Sequence, residues 1–258
     1  MRTALVTIIV VVSVLLGVKA AKAWSIEEMN AQIEATNYLV NDGCSGTLID
    51  IEKRLILTAE HCIRQQYRLV ERERVKDDGT VVKEKIRRVL PGQVRQFKYA
   101  GALETHSTAY RTKVVLADKE TDLALLQILA PIPNKEAARL SCVEPKRGET
   151  TYTVGNPYGD LYSSVNRGNV ASVQRTYAMI GIDEQGDNAL MQVSPGFIGG
   201  NSGGAVYDGT GKLIGVPVRG NPAVGLAAPL ADIKKLLMRE GLNKLWAHCE
   251  EPAKSAEE

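Results

Sequence analysis

Gly199-Gly200-Asn201-Ser202-Gly203-Gly204-Ala205 sets one serine among four glycines. A serine hydroxyl is a weak nucleophile until a base takes its proton. The oxyanion that its attack creates needs hydrogen-bond donors already in place. Glycines on both sides of Ser202 let the backbone aim N–H groups inward and let a second chain pass close by. In that arrangement Gly200 and Ser202 are the two backbone donors. Taken alone, the string also fits a plain glycine-rich turn, so its meaning depends on what else the chain supplies.

A base and an acid are both on offer. Leu57-Thr58-Ala59-Glu60-His61-Cys62 runs an apolar strand into a histidine. The chain has three histidines. His106 lies in Glu104-Thr105-His106-Ser107-Thr108, which reads as an exposed loop, and His248 lies in a C-terminal helix. Only His61 ends a buried strand, where a base can be held still. Asp122 opens the apolar run Leu123 to Ile128. A nucleophile–base pair needs a buried carboxylate to fix the imidazole tautomer and to stabilise the imidazolium. Asp118 and Glu120 compete for that role from a more polar stretch. A lone histidine is more often structural, and an acid at a strand mouth is more often a turn residue. It is the three segments together that point to acyl transfer.

Working outward, the chain is 258 residues long, enough for one large all-β unit or two small domains. Aromatic residues are only 5% of it, so the core rests on Val, Ile, Leu and Ala. From Tyr38 to about Val218 the pattern is short apolar or alternating runs broken by turn residues, which predicts an all-β barrel or sandwich. Lys76-Asp77-Asp78-Gly79-Thr80 predicts a hairpin turn between two charged strands, Arg68 to Lys76 and Val81 to Val89, read as a solvated hairpin. A short helix is expected over Ile26 to Ala35, and Pro131 to Arg139 reads as a linker between two halves. Leu230, Ile233, Leu236, Leu237, Leu242, Leu245 and Trp246 recur at helical spacing, predicting a C-terminal helix over about 230–248 and a solvated tail over 250–258.

The first residues carry an export signal. Met1-Arg2 is basic, Ala4 to Val18 is nearly unbroken apolar, and Ala21-Lys22-Ala23 fits a cleavage site. A signal peptide over 1–23 is therefore expected, with Trp24 as the mature N-terminus; an uncleaved membrane anchor is the alternative. Arg2, Lys19 and Lys22 leave with the signal and no acid does, so the formal net charge of +2 turns slightly negative. Nothing in that balance points to nucleic acid. An even set of cysteines behind an export signal, Cys44, Cys62, Cys142 and Cys249, favours disulfides. There is no C-x-x-C pair, so neither a zinc site nor any other metal or cofactor is expected.

Thr58-Ala59-Glu60-His61-Cys62, Thr121-Asp122-Leu123-Ala124-Leu125-Leu126 and Gly200-Asn201-Ser202-Gly203-Gly204-Ala205 resemble the histidine, aspartate and nucleophile motifs of chymotrypsin- and trypsin-like serine proteases, in that fold's order. Val154-Gly155-Asn156-Pro157-Tyr158-Gly159, Asn201 and Gly225-Leu226-Ala227-Ala228-Pro229 resemble the HtrA/Deg-type branch. The likeness spans roughly residues 36 to 240. It implies two six-stranded antiparallel β-barrels, about 36–130 and 140–228, inside a protease domain over 24–249. It implies a secreted or periplasmic endopeptidase that cleaves protein or peptide substrates through an acyl-enzyme, with His61, Asp122 and Ser202 as triad and Gly200 and Ser202 as oxyanion hole. It also implies a Cys44–Cys62 bond beside the histidine, which leaves Cys142 and Cys249 to pair. The last strands and a helix use up the residues after Ser202, so no PDZ domain is expected. Ser194-Pro195-Gly196-Phe197-Ile198-Gly199 departs from the usual form of the segment before the nucleophile.

By the same analogy, Gly196 floors the substrate pocket and Val216, Pro217 and Val218 wall it. With no acid there, the expected P1 residue is small or medium and apolar; an Arg219 reaching into the pocket would instead favour an acidic one. Two other readings compete. A catalytically dead binding protein on this fold would usually have lost a triad member, and an esterase on an α/β scaffold would need an alternating strand–helix pattern that this chain lacks. Zymogen relatives hold an acid before the nucleophile to receive a freed N-terminus, whereas Asn201 is neutral and no Ile-Val-Gly-Gly-like start follows Ala23. Purified residues 24–258 are therefore expected to hydrolyse peptide without trimming; a sample inert until another protease cuts it would contradict this.

Overall fold

The computed structural model describes residues 23–64, 67–75, 79–89, 92–99, 105–181 and 187–249. The expected export signal, apart from Ala23, the centre of the expected hairpin turn at 76–78 and the expected tail at 250–258 lie outside the described residues.

Among the described residues, short runs between turn residues form fourteen strands. β1 (Asn37–Val40), β2 (Cys44–Asp50) and β3 (Leu55–Ala59) come first. β4 (Tyr67–Val75) and β5 (Val81–Val89) form a separate antiparallel hairpin. Its residues 71–75 are exposed, and the register sets Glu71 against Lys85 and Glu73 against Lys83. β6 (Gln93–Tyr99), β7 (Thr105–Asp118) and β8 (Leu123–Ile128) complete a closed barrel in the order β1-β2-β3-β8-β7-β6. β9 (Thr150–Gly155), β10 (Ser164–Thr176), β11 (Ala189–Ser194), β12 (Ala205–Asp208), β13 (Leu213–Gly220) and β14 (Gly225–Pro229) close a second, in the order β10-β11-β14-β13-β12-β9. The expectation of two six-stranded antiparallel barrels with a C-terminal helix holds.

β3 and the first half of β8 are buried along both faces, which is why they read as largely apolar runs without alternation. Their register pairs Ala59 with Leu123. The residues just after β3 and just before β8 therefore emerge at the same end of the barrel, and that end carries His61 and Asp122. Both barrels share one continuous apolar core that includes Leu57, Leu125, Val154, Leu213 and Val216.

Several sequence expectations need correcting. His106 lies on β7 rather than in a loop, although its side chain is exposed. The C-terminal helix is shorter than the apolar spacing suggested: α2 (Leu230–Arg239) stops before Gly241, which takes φ +64°. A left-handed residue cannot continue a right-handed helix. The chain resumes as a 3-10 helix, Asn243–Cys249, and still buries Leu242 and Trp246. No described helix is long and apolar enough to cross a membrane.

Two disulfides, Cys44–Cys62 and Cys142–Cys249, are formed. The second closes a loop of sequence separation 107 and ties the C-terminal segment to the region between the barrels. Chain entropy assigns such a long loop about 4–5 kcal/mol of stabilisation.

The N-terminal segment straps the barrels together. α1 (Ile26–Thr36) starts from a capping box in which Ser25 Oγ accepts from the Glu28 N–H at 3.2 Å and Glu28 Oε2 accepts from the Ser25 N–H at 3.1 Å. Just before it, the Trp24 N–H donates to the Gly209 carbonyl at 3.0 Å. The Trp24 ring meets Tyr152 and Tyr207 edge-on, at 5.5 and 5.2 Å between centroids. Gly211 leaves room for it, since a Cβ there would lie 2.8 Å from the indole. Further along, Gln32 Nε2 donates to the Gly211 carbonyl of the second barrel, and Gln96 Nε2 of the first donates to the Glu34 carbonyl. Trp24→Ala removes both aromatic contacts and opens a gap over Gly211. Its expected cost is about 2 kcal/mol, or a Tm lower by about 5 °C. A thermal melt checks it, and an unchanged Tm would contradict the strap.

Candidate active site

The turn from β3 into a 3-10 helix, Glu60–Ile63, places His61 two residues beyond the strand end rather than on it. Asp122 grips this turn in three places. Its carbonyl accepts from the Glu60 N–H at 3.0 Å, Oδ1 accepts from the His61 N–H at 2.9 Å, and Oδ2 lies 2.8 Å from His61 Nδ1. The carboxylate thus fixes both the backbone and the ring, and with Nδ1–H donating to it, Nε2 is the basic nitrogen. Asp122 is buried at 8% exposure, while His61 is half-buried. The competing acids are placed elsewhere: Asp118 pairs with Arg239, and Glu120 is exposed.

Ser202 arrives from the second barrel, just before β12. The loop that carries it is pinned by a buried polar seam. Ser45 Oγ of β2 donates to the Gly200 carbonyl at 2.7 Å and accepts from the Asn156 N–H at 2.7 Å. The Ser45 N–H donates to the Ser202 carbonyl at 2.7 Å, and Thr58 Oγ1 donates to the Ser45 carbonyl at 2.7 Å. The glycines are needed for close approach. A Cβ on Gly203 would lie 2.3 Å from the Ser45 carbonyl oxygen, and φ there is +80°.

The turn at Gly199-Gly200 sets the direction of one donor. Asn201 N–H donates to the Ile198 carbonyl at 3.1 Å, and Gly200 has φ +98°. That combination is a type II turn, with glycine at its third position. The Gly199 carbonyl accepts from the Tyr158 N–H at 2.6 Å. Because C=O and N–H point oppositely across a planar trans peptide, the Gly200 N–H faces away from Tyr158. Tyr158 is itself in the left-handed region at φ +58°, next to the buried Pro157.

His61, Asp122 and Ser202 all line one cleft of about 390 Å³, with Arg64, Phe197, Ile198, Gly199, Val218, Arg219 and Gly220. The wall is therefore shifted from the expected residues. Val216 faces the shared core and Pro217 is buried, its carbonyl accepting from the Gly203 N–H at 2.8 Å; only Val218 of the three reaches the cleft. Gly196 does not line it either, because it is packed against the loop opposite: a Cβ there would fall 1.9 Å from the Asn221 carbonyl oxygen. Phe197 takes its place, 3% exposed and packed between Gly220 and Gly225. The Cys44–Cys62 bond lies beside His61, with the three side chains in one group. That group and Cys142, His248 and Cys249 have metal-like spacing, but each pair of sulfurs is already spent in a disulfide.

The sequence model of the trypsin-like peptidase domain matches residues 44–216. The chain belongs to the trypsin-like peptidase family. It is 27% identical over 199 residues to the periplasmic serine endoprotease DegP of Escherichia coli (strain K12), covering 74% of this chain and 34% of that protein. It is 32% identical over 138 residues to the serine protease Do-like HtrA of Bacillus subtilis (strain 168), covering 50% and 30%. The chain thus spans about a third of the length of these relatives. A crystal structure of the serine endoprotease from Yersinia pestis shares the fold, with a TM-score of 0.56 and 20% identity over 84% of this chain and 66% of that one.

Some site residues had no usable sign in the sequence. Ser45 is an ordinary strand residue there, Thr58 stood in the histidine motif without a role of its own, and Phe197 was visible only as a departure from the family form. Asn156 and Tyr158 belonged to a recognised string, but nothing in it revealed their contact with the serine loop. Gly200→Ala tests that contact. Its Cβ would lie 2.3 Å from the Asn156 carbonyl oxygen and 2.5 Å from the Tyr158 nitrogen, so the turn must shift and its N–H with it. Peptide hydrolysis by the variant is expected to fall about 10²-fold or more in kcat. Near-normal kcat in a steady-state assay would contradict that.

Proposed function

We propose that this chain is an exported serine endopeptidase with Ser202 as nucleophile, His61 as general acid–base and Asp122 as the carboxylate that orients it. The observation that carries this reading is the convergence in one cleft of Ser202, from the second barrel, with a His61 ring held by Asp122 at 2.8 Å. His61 Nε2 takes the Ser202 hydroxyl proton as Oγ attacks the scissile carbonyl. The tetrahedral oxyanion is met by the N–H groups of Gly200 and Ser202. His61 then protonates the leaving amine, and water resolves the acyl-enzyme by the same steps in reverse.

The cleft supports a small or medium apolar P1 residue. Phe197 fills the space opposite Gly220 and Gly225, where a Cβ would lie 3.2 and 2.8 Å from it, and with Ile198 and Val218 it gives the cleft its apolar part and limits the room for a large P1 side chain. Arg219 is exposed at the cleft margin, and among the described residues Asp122 is the one carboxylate lining the cleft. Two disulfides and relatives named as periplasmic support export, with residues 1–23 as signal peptide and 24–249 as protease domain.

The test is covalent labelling of purified residues 24–258 by a fluorophosphonate, beside Ser202→Ala, followed by peptide-library profiling. The expected result is labelling of the wild type only and cleavage after Val, Ala or Ile. A folded, oxidised wild type that takes no label would favour the inactive binding protein, and dominant cleavage after Lys or Arg would remove the proposed specificity.

A further inference from the structure

Asp122 stands at the end of a turn whose other end is held by the C-terminal helix. β7 ends at Asp118 and β8 starts at Leu123, and the ladder pairs these two residues. Between them, Asp118 Oδ1 accepts from the N–H groups of Glu120 at 3.0 Å and Thr121 at 3.4 Å. Asn188 Nδ2 of the second barrel donates to the Glu120 carbonyl at 3.2 Å. The other Asp118 oxygen, Oδ2, accepts a charge-assisted bond from Nη1 of Arg239, the last residue of α2. The Asp118 side chain is 14% exposed and that of Arg239 51%, so the arginine covers the carboxylate from outside.

The turn needs holding. Asp122 has φ +54°, a left-handed conformation that an Asp adopts more readily than most L-residues but still less readily than the extended one, so contacts of the turn help to keep it there. Arg239 is well placed to support them, because its own base is firm. α2 buries Leu230, Ile233, Leu236 and Leu237, and the segment beyond it is fastened by Cys142–Cys249. We propose that Arg239 is a positioning residue for the reaction: through Asp118 it fixes the turn that presents the Asp122 carboxylate to His61. This rests on the peptidase reading above. Without the guanidinium, Asp118 is free to rotate towards water and drop the two turn N–H groups. The Asp122 carboxylate is then aimed at His61 Nδ1 for only part of the time. The imidazolium that forms in the transition state depends on that carboxylate more than the neutral ring of the ground state does, so kcat falls and KM does not.

The test uses the full oxidised chain with rates expressed per fluorophosphonate-titrated site, for wild type, Ser202→Ala, Arg239→Ala, Arg239→Lys, Asp118→Asn and the double variant Arg239→Ala/Asp118→Asn. Lys244→Ala is the control, since Lys244, from the same C-terminal segment, pairs instead with Glu52 and with Asp50 at the end of β2. Arg239→Ala is expected to lose about five- to tenfold in kcat with KM within about twofold. Arg239→Lys recovers most of that, the double variant is no worse than Asp118→Asn alone, and Lys244→Ala matches the wild type. A wild-type kcat per titrated site in Arg239→Ala, or fully additive losses in the double variant, overturns the proposal. If Arg239→Ala does not fold, Asp118→Asn carries the same test, with the same loss expected and a wild-type kcat overturning it. A wild type that neither labels nor cleaves removes the peptidase reading and this proposal with it, whereas an active wild type beside an equally active Arg239→Ala removes this proposal alone.

Discussion

The serine loop depends on one buried side chain of the other barrel. Ser45 Oγ is fully buried, and it donates to the Gly200 carbonyl while accepting from the Asn156 N–H. These groups have no water to turn to, so each unmade bond would cost about 1–3 kcal/mol. The cheapest arrangement that satisfies all of them is the one observed, with β2 against the loop and the Asn156-Pro157-Tyr158 turn behind it. The glycines at 200 and 203 follow from this constraint, because any Cβ there would strike the partners that hold the loop. The shared apolar core brings the barrels together, but it is non-directional and would tolerate sliding. The polar seam is what selects one relative position, and with it the place of Ser202 beside His61.

A second constraint acts on the acid. Asp122 is fastened at its carbonyl and at both carboxylate oxygens to the 3-10 helix that carries His61. His61 and the Asp122 carboxylate are therefore held together on the first barrel, where β3 and β8 end together. In the proposed reading, the second barrel delivers the nucleophile and the backbone donors. Such a division makes the chemistry sensitive to anything that shifts one barrel against the other. It gives a physical reason for the strap of Trp24 and α1, and for the second disulfide, both far along the chain from the cleft.

Much of this was legible in the sequence because it rests on local chemistry. The largely apolar runs at 54–58 and 123–128 gave strands, and the residues near their ends are those that meet at the barrel end. The glycine cluster read as a backbone-approach site, and the close contacts at Gly200 and Gly203 are of that kind. What was not legible depends on long-range placement. Ser45 looks like any strand serine until its partners, 111 and 155 residues away, are known. The pocket was misread at Gly196, Val216 and Pro217 because a position counted from the nucleophile does not say which way a side chain points. Phe197 lines the cleft in place of Gly196. The helical spacing after Leu230 was real, but Gly241 ended the helix at a point that periodicity alone does not mark.

The most direct measurement is a crystal structure of the phosphonylated protein, with the adduct standing in for the tetrahedral intermediate. The account predicts a bond to Ser202 Oγ and a phosphonyl oxygen about 2.7–3.1 Å from both the Gly200 and Ser202 nitrogens, with Gly199 still bonded to the Tyr158 N–H. An oxygen turned to solvent, or a Gly199 carbonyl swung into that position, would contradict the claim that the seam presets the site.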